Sequence, residues 1–300
     1  MNDQVRIVEV GPRDGLQNEK AQVTIDARVA FIEALLAAGL HTVEVGAFVL
    51  PRAIPQMIGS DEVLRRVSRH ANGEFHVLVP NERGYEAARA AGAKVIAVFG
   101  SASEGFSRAN INCSVAESIE RFKPVIARAR SDGLKVRGYI SCVLGCPYDG
   151  EVNRKSVVDV AKVLWDLGCY EISLGDTIGV GTPKKARELL RAVASHVPMT
   201  NLAMHFHDTY GQALANLYAG MEEGCRVIDS AAGGLGGCPY APGATGNVAT
   251  EDVVYMLEGM GVATGVDLAK LLQATNEISR LIGRPPVSRV AAALNAKARK

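Results

Sequence analysis

Two histidines set two residues apart, His205 and His207, stand in a segment reading HFHDTY whose first part has the character of a β-strand. Side chains two apart on a strand leave by the same face, so both imidazoles point one way while Phe206 points the other. That is the geometry of a pair of metal ligands. Far upstream, GPRDGLQNEK places Asp14 directly after another strand-like run, and one carboxylate with two imidazoles makes a nitrogen and oxygen donor set. With positions left open, such a set suits Mg²⁺ or Mn²⁺, and Fe²⁺, Co²⁺ or Zn²⁺ can also bind it. The competing reading is a pair of hydrogen-bonded core histidines. Their place at a strand end beside Asp208 favours the metal.

Other polar residues gather at strand ends. Arg13, beside Asp14, would set a permanent cation over the same site, able to stabilise an oxygen that gains negative charge; the plainer reading is a salt bridge to Glu9 or Glu44. Asp176, in SLGDT, is a candidate proton-transfer group, and equally a helix cap or a partner for a histidine. Cys238 lies in GGLGGCPY, where glycines leave the backbone free to move over a ligand, and an ordinary thiol of pKa about 8.5 can donate a proton near neutrality. Burial and inertness are the default for Cys169 and Cys225. Asn247, in GATGN, reads on its own as a turn or capping residue.

Those residues need a frame that brings strand ends together. Eight β-branched runs, at 5–10, 42–45, 75–79, 95–99, 136–141, 171–174, 202–207 and 227–231, alternate with amphipathic stretches. Several runs are apolar on both sides, as strands covered on both faces are. Between them, Ile25, Val29, Ile32 and Leu36 recur at helical spacing before Gly39, and further helices begin near Asn81, Ser114, Ser156, Thr182, Tyr210 and Thr250. A weaker helix is expected at 61–70, behind a loop containing Pro51 and Pro55. The pattern predicts a closed (β/α)₈ barrel over about residues 5–260, with helical runs at 266–282 and 287–298 packed on its exterior or rim. We expect one catalytic domain spanning 1–300, the part from 261 onward being a helical extension.

Composition limits the partners. Among 300 residues, Lys plus Arg number 33 against 32 for Asp plus Glu, so no global field draws the chain to nucleic acid or to anionic membrane. No apolar stretch has membrane length, and MNDQVRIVEV fits neither a signal nor a transit peptide. The six cysteines include no CxxC pair, which argues against a disulfide framework or zinc knuckle and leads us to expect a cytoplasmic setting.

At these positions the chain resembles the 3-hydroxy-3-methylglutaryl-CoA lyase family, within the metal-dependent lyases and synthases (the DRE-TIM metallolyases) that share an arginine-aspartate motif after the first barrel strand. The likeness runs from VRIVEVGPRDGLQNEK to the helix ending near Ile282, and is carried most specifically by RGYISCVLGCPY, YEISLGDTIGVGTP, HFHDTYGQALAN and GLGGCPYAPGATGNVATEDVVYMLEG. It implies a TIM barrel that binds Mg²⁺ or Mn²⁺ through Asp14, His205, His207 and Asn247. It implies Cys238, Arg13, Asp176 and Glu44 as catalytic residues, and Arg13, Gln17, Glu44 and Ser173 as substrate-binding residues. The implied reaction splits an acyl-CoA into acetoacetate and acetyl-CoA, as in leucine catabolism and ketone-body formation, by a homodimer or other homo-oligomer. Two departures stand out. After Glu44 the chain reads VGAFVLPRAIPQM, where animal members carry hydroxyl residues, and it ends NAKARK, without their cysteine-containing targeting tail.

Three other readings stay open on sequence alone. A sister lyase would take a longer-chain 3-hydroxyglutaryl-CoA, with Val45, Ala47 and Phe48 lining a roomier pocket. A Claisen-type synthase needs further domains, and a non-catalytic acyl-CoA or metal-binding barrel needs none of the proton-transfer groups.

Overall fold

Eight parallel strands close on themselves in chain order in the computed structural model, which describes residues 4–237 and 246–298. They are β1 (Arg6–Glu9), β2 (Thr42–Ala47), β3 (Glu74–Leu78), β4 (Val95–Ser101), β5 (Lys135–Ser141), β6 (Glu171–Asp176), β7 (Leu202–Phe206) and β8 (Val227–Ser230). Closure is made by β1 against β8, where Arg6 pairs with Val227 and Glu9 with Ser230. The expected (β/α)₈ barrel is thus the fold. Its strands are buried almost throughout, because helices cover the outer face and neighbouring strands fill the inner one.

The crossovers carry α1 (Ile25–Ala37), α2 (Ser60–Val67), α3 (Glu82–Ala90), α4 (Glu104–Ile111), α5 (Val115–Ser131), α6 (Arg154–Leu167), α7 (Pro183–Val193) and α8 (Ala213–Glu222), followed by α9 (Thr250–Gly259), α10 (Leu268–Ile282) and α11 (Arg289–Ala298). Side-chain caps set where several of them start. Thr24 accepts from the Ala27 amide, and Ser114 and Glu117 cap α5 reciprocally. The short α4, bounded by its Ser103 cap and by Asn112 at φ +51°, was not expected from the apolar pattern.

Two features of the frame bear on the site. In β2 the register against β3 slips between Glu44 and Gly46, a bulge at Val45 of the kind that re-aims side chains at barrel rims. At the same end, the last helices fold back over the barrel. Helix α10 packs on α1, and Asp252 of α9 accepts from the Ser288 hydroxyl and from the Val290 amide at 2.9 Å, which fixes the start of α11. Among the described residues, no helix is long and apolar enough to cross a membrane.

Candidate active site

The C-terminal ends of β1, β2, β5 and β7 converge on one cavity of about 1270 Å³. At its inner end stand Arg13, Asp14, Tyr139, His205 and His207. Asp14 arrives there because the chain leaves β1 in a single wide turn, Gly11–Gly15, that begins with Gly11-Pro12. Glycine is required at 11: a Cβ there would meet the Glu9 carboxylate at 2.5 Å, and that carboxylate accepts from the Gly11 amide at 2.8 Å.

Asp14, His205 and His207 each offer a ligand atom, and these atoms lie within 4.8 Å of one another. The strand logic for the histidine pair therefore holds, their ring centroids being 5.4 Å apart. Asp14 and His207 are also in the right ionic form. Burial would raise Asp14, but Arg13 and the two imidazoles outweigh it and hold the carboxyl at about 2. Burial, with His205 beside it, pulls His207 down to about 4 and keeps it neutral, and its Nδ1 is buried without a hydrogen-bond partner. His205 Nδ1 lies 3.3 Å from Asp229 Oδ2 and its Nε2 3.9 Å from Asp14 Oδ2, so the ring bridges the two carboxylates. One carboxylate oxygen and two imidazole nitrogens, buried yet opening on a cavity, fit a divalent cation.

Asn247 is brought to the same carboxylate. Its Nδ2 donates to Asp14 Oδ2 at 2.8 Å and to the Leu235 carbonyl at 3.2 Å, so the amide nitrogen, not the oxygen, faces Asp14. Arg13 is buried between two acids, with Nε 2.7 Å from Glu44 Oε2 and Nη1 2.7 Å from Asp14 Oδ1. Glu44 has no contact with the cavity; it stands behind Arg13 and orients it. Of the salt bridges that the sequence offered Arg13, the structure makes the one to Glu44 and not the one to Glu9.

The remaining expected residues divide. Gln17 lines the cavity and holds a buried Oε1 without a partner. Ser173 does not reach it, because its hydroxyl donates to Asp229 Oδ2 at 2.7 Å beneath the histidines. The Asp176 carboxylate is turned into its own loop, where the amides of Val180 and Gly181 fold over it at 3.2 and 2.8 Å. Burial raises it to about 6, those amides opposing, and it does not line the cavity itself. Cys238 lies outside the described residues.

Sequence reasoning passed over Arg137, Tyr139 and Asp229. Arg137 sits at the hub, with Nη2 2.7 Å from Asp229 Oδ1, Nε 2.7 Å from Glu171 Oε1 and Nη1 2.7 Å from the Tyr139 hydroxyl. A signal was present: polar residues two apart on strands, Arg137 with Tyr139 and Glu171 with Ser173, share a face, and in a barrel one face is the interior.

The outer wall of the cavity is formed by residues 48–59, among them Phe48, Leu50, Ala53 and Ile54. It is tied down from beneath by Arg28 of α1, which donates to the carbonyls of Ile58 at 2.9 Å and of Gln56 and Val45 at 3.4 Å. Among the described residues no carboxylate faces this guanidinium, and burial pulls it down to about 10. Val45 serves that anchor and does not line the cavity, whereas Ala47 and Phe48 do.

Comparison with known proteins agrees with this architecture. The HMGL-like family model matches residues 4–278. A Pseudomonas aeruginosa protein named 3-hydroxy-3-isohexenylglutaryl-CoA/hydroxy-methylglutaryl-CoA lyase is 55% identical over 98% of both chains, and the hydroxymethylglutaryl-CoA lyase of Pseudomonas mevalonii is 53% identical over 98% of this chain and 97% of that one. The crystal structure of hydroxymethylglutaryl-CoA lyase from Pseudomonas aeruginosa superposes with a TM-score of 0.96 at 55% identity, covering 99% of this chain and all of that one. On fold, site and likeness together, this chain belongs to the HMGL-like family.

Proposed function

We propose that this chain is a metal-dependent carbon–carbon lyase that cleaves 3-hydroxy-3-methylglutaryl-CoA to acetoacetate and acetyl-CoA. The observation that carries the reading is the convergence of Asp14, His205 and His207 with Arg13 at the inner end of one large cavity, in a chain more than half identical to hydroxymethylglutaryl-CoA lyases along nearly its whole length. No feature of the site favours the longer-chain substrates over this one.

Asp14, His205 and His207 would hold the cation, with Asn247 as a fourth ligand once its amide turns its oxygen inward; Mg²⁺ and Mn²⁺ suit the set. When bound, a divalent cation supplies Lewis acidity toward the substrate's tertiary hydroxyl and free carboxylate. The hydroxyl gives up its proton to a base, a cavity water or Asp176 reached through one, the adjacent carbon–carbon bond breaks as the ketone forms, and the electron pair leaves as the enolate of acetyl-CoA. Arg13, pinned by Glu44 and Asp14, presents fixed N–H donors to the oxygen on which that charge collects. Gln17, from the same cavity wall, would bind substrate through its free oxygen. Cys238 would return a proton to carbon, reached through Gly237, which lines the cavity.

A coupled assay for acetoacetate and acetyl-CoA, with Mg²⁺ or with EDTA, tests the reading. Mg²⁺-dependent release of both products is expected. Full metal binding without cleavage would overturn the substrate assignment and leave a metal-binding barrel.

A further inference from the structure

Glu44 holds Arg13, but the structure raises the question of what holds Glu44. Its carboxylate is fully buried, one oxygen accepts every bond it receives, and the other has no partner. Apart from Arg13 itself, the single side chain that bonds it among the described residues is Tyr139, whose hydroxyl donates to Oε2 at 3.3 Å. That same hydroxyl accepts from Arg137 Nη1 at 2.7 Å, and Arg137 grips Asp229, the partner of His205.

The phenol ring is held with equal care. The Arg13 guanidinium carbon lies 5.7 Å from its centroid and that of Arg137 4.9 Å, while His205 meets it edge-on at 5.9 Å and 78°. Two buried cations against one ring are tolerable because each also has its own acids and because the ring face attracts cations. The result is a closed circuit, Arg13 to Glu44 to Tyr139 to Arg137 to Asp229 to His205, with Asp14 between its two ends.

We propose that Tyr139 is a positioning residue that fixes Arg13 relative to the metal-ligand histidine, by anchoring Glu44 to the Arg137–Asp229 pair. The inference rests on the lyase reading for its kinetic consequence but not for its structural one. If Arg13 binds an oxygen that becomes charged only as the bond breaks, loosening it lowers kcat and leaves KM alone. Asp229 and Arg137 still hold each other when the hydroxyl is gone, so metal affinity is spared.

The test is Tyr139→Phe, which keeps the ring and removes only the hydroxyl. Hydrogen exchange at the Arg13 Nε–H, followed in ¹⁵N spectra and identified by its loss in Arg13→Lys, reads the pinning without any turnover. We expect exchange at least about tenfold faster at Arg13, while Arg137 Nε–H, bonded to Glu171, is unchanged. We also expect kcat about 10- to 100-fold lower with KM within about twofold, and Mn²⁺ affinity by paramagnetic resonance within about twofold of wild type. Asp229→Asn provides the contrast, with Mn²⁺ affinity lower by about 10- to 100-fold. In an Arg13→Lys background, removing the hydroxyl should cost less than about threefold, because the residue it acts through is already gone. Unchanged exchange at Arg13, or an equal kcat loss in both backgrounds, overturns the proposal. A wild-type protein that does not cleave the thioester would sink the lyase reading alone, since the exchange measurement still decides the coupling.

Discussion

Two groups of buried acids lie within this barrel, and they are handled in opposite ways. Around the cavity, Asp14, Glu44, Glu171 and Asp229 face the guanidinium groups of Arg13 and Arg137. Despite burial, those cations and the neighbouring imidazoles hold Asp14 at about 2 and Asp229 lower still. Beneath the turn Ala232–Gly234, Glu9 and Glu251 are as deeply buried and meet no cation among the described residues. Glu9 accepts from the Gly11 and Ala232 amides at 2.8 and 2.9 Å and from the Thr250 hydroxyl at 2.6 Å, and Glu251 accepts from the Gly233 amide at 2.9 Å and from the Thr275 hydroxyl. Burial raises both to about 7. The same side chains thus serve two ends. Where charge must persist to hold a cation and orient Arg13, arginine is supplied; where only the shape of a backbone turn is at stake, amides and hydroxyls suffice.

Removing a proposed metal ligand beside the first group should have the largest effect. His207→Ala is expected to abolish Mn²⁺ binding, read by paramagnetic resonance, and to lower turnover about a thousandfold or more, which is ~4 kcal/mol of barrier. Cys238→Ala should cut turnover steeply as well, but with metal content unchanged in elemental analysis; loss of metal there would contradict its proposed role as proton donor. Next, Arg137→Met leaves Asp229 buried without its arginine and Glu171 with Arg6 alone, a loss of about 3–5 kcal/mol. A fall of about 5–8 °C in the unfolding midpoint is expected by calorimetry.

The second group makes a subtler prediction with a definite sign. Glu251 rises from its ordinary 4.5 to about 7, so between those values the folded chain binds the extra proton. Its contribution to stability is therefore complete below pH 4.5 and is lost as pH rises through 7, the reverse of Asp14, whose contribution is lost as pH falls toward 2. Glu251→Gln mimics the protonated form. Relative to wild type, the unfolding midpoint of this variant should climb by about 3 °C between pH 5 and pH 8, and a flat difference would show that Glu251 is ionised throughout. Outside both groups, breaking the exposed Lys155–Asp159 pair on α6 by Lys155→Ala should move the midpoint by less than about 2 °C.

The sequence exposed the frame better than the circuitry. All eight strand runs coincide with strands, because doubly covered strands must be written in Val and Ile and are readable without neighbours. The helix starts near Ser114 and Thr250 were legible for a local reason, a cap or a break beside an apolar stripe. The histidine pair could be read because its spacing alone fixes a shared face, and Asp14 because it follows a strand. Asn247 could not, since its meaning depends on Asp14, 233 residues away. Arg137 and Asp229, 92 residues apart, meet only when β5 and β8 face each other across the closed barrel. The orientation of Asp176 was not legible either. A carboxylate at a strand end looks alike whether it turns toward the cavity or back under its own loop, and the backbone of Gly179 to Gly181 decided which.

Arg28 grips the cavity wall chiefly by its carbonyl oxygens, the Ser60 hydroxyl being the one side chain it donates to among the described residues. A clamp that takes hold mostly of main chain is largely indifferent to the side chains its loop displays. Phe48, Leu50 and Ala53 make none of the bonds by which Arg28 holds the wall. On the proposed function, the groups that would do the chemistry and the wall that would meet the acyl chain rest on separate supports. Point substitutions in that wall would then offer a lineage a way to alter its diet while Arg13 and Asp14 stay as they are.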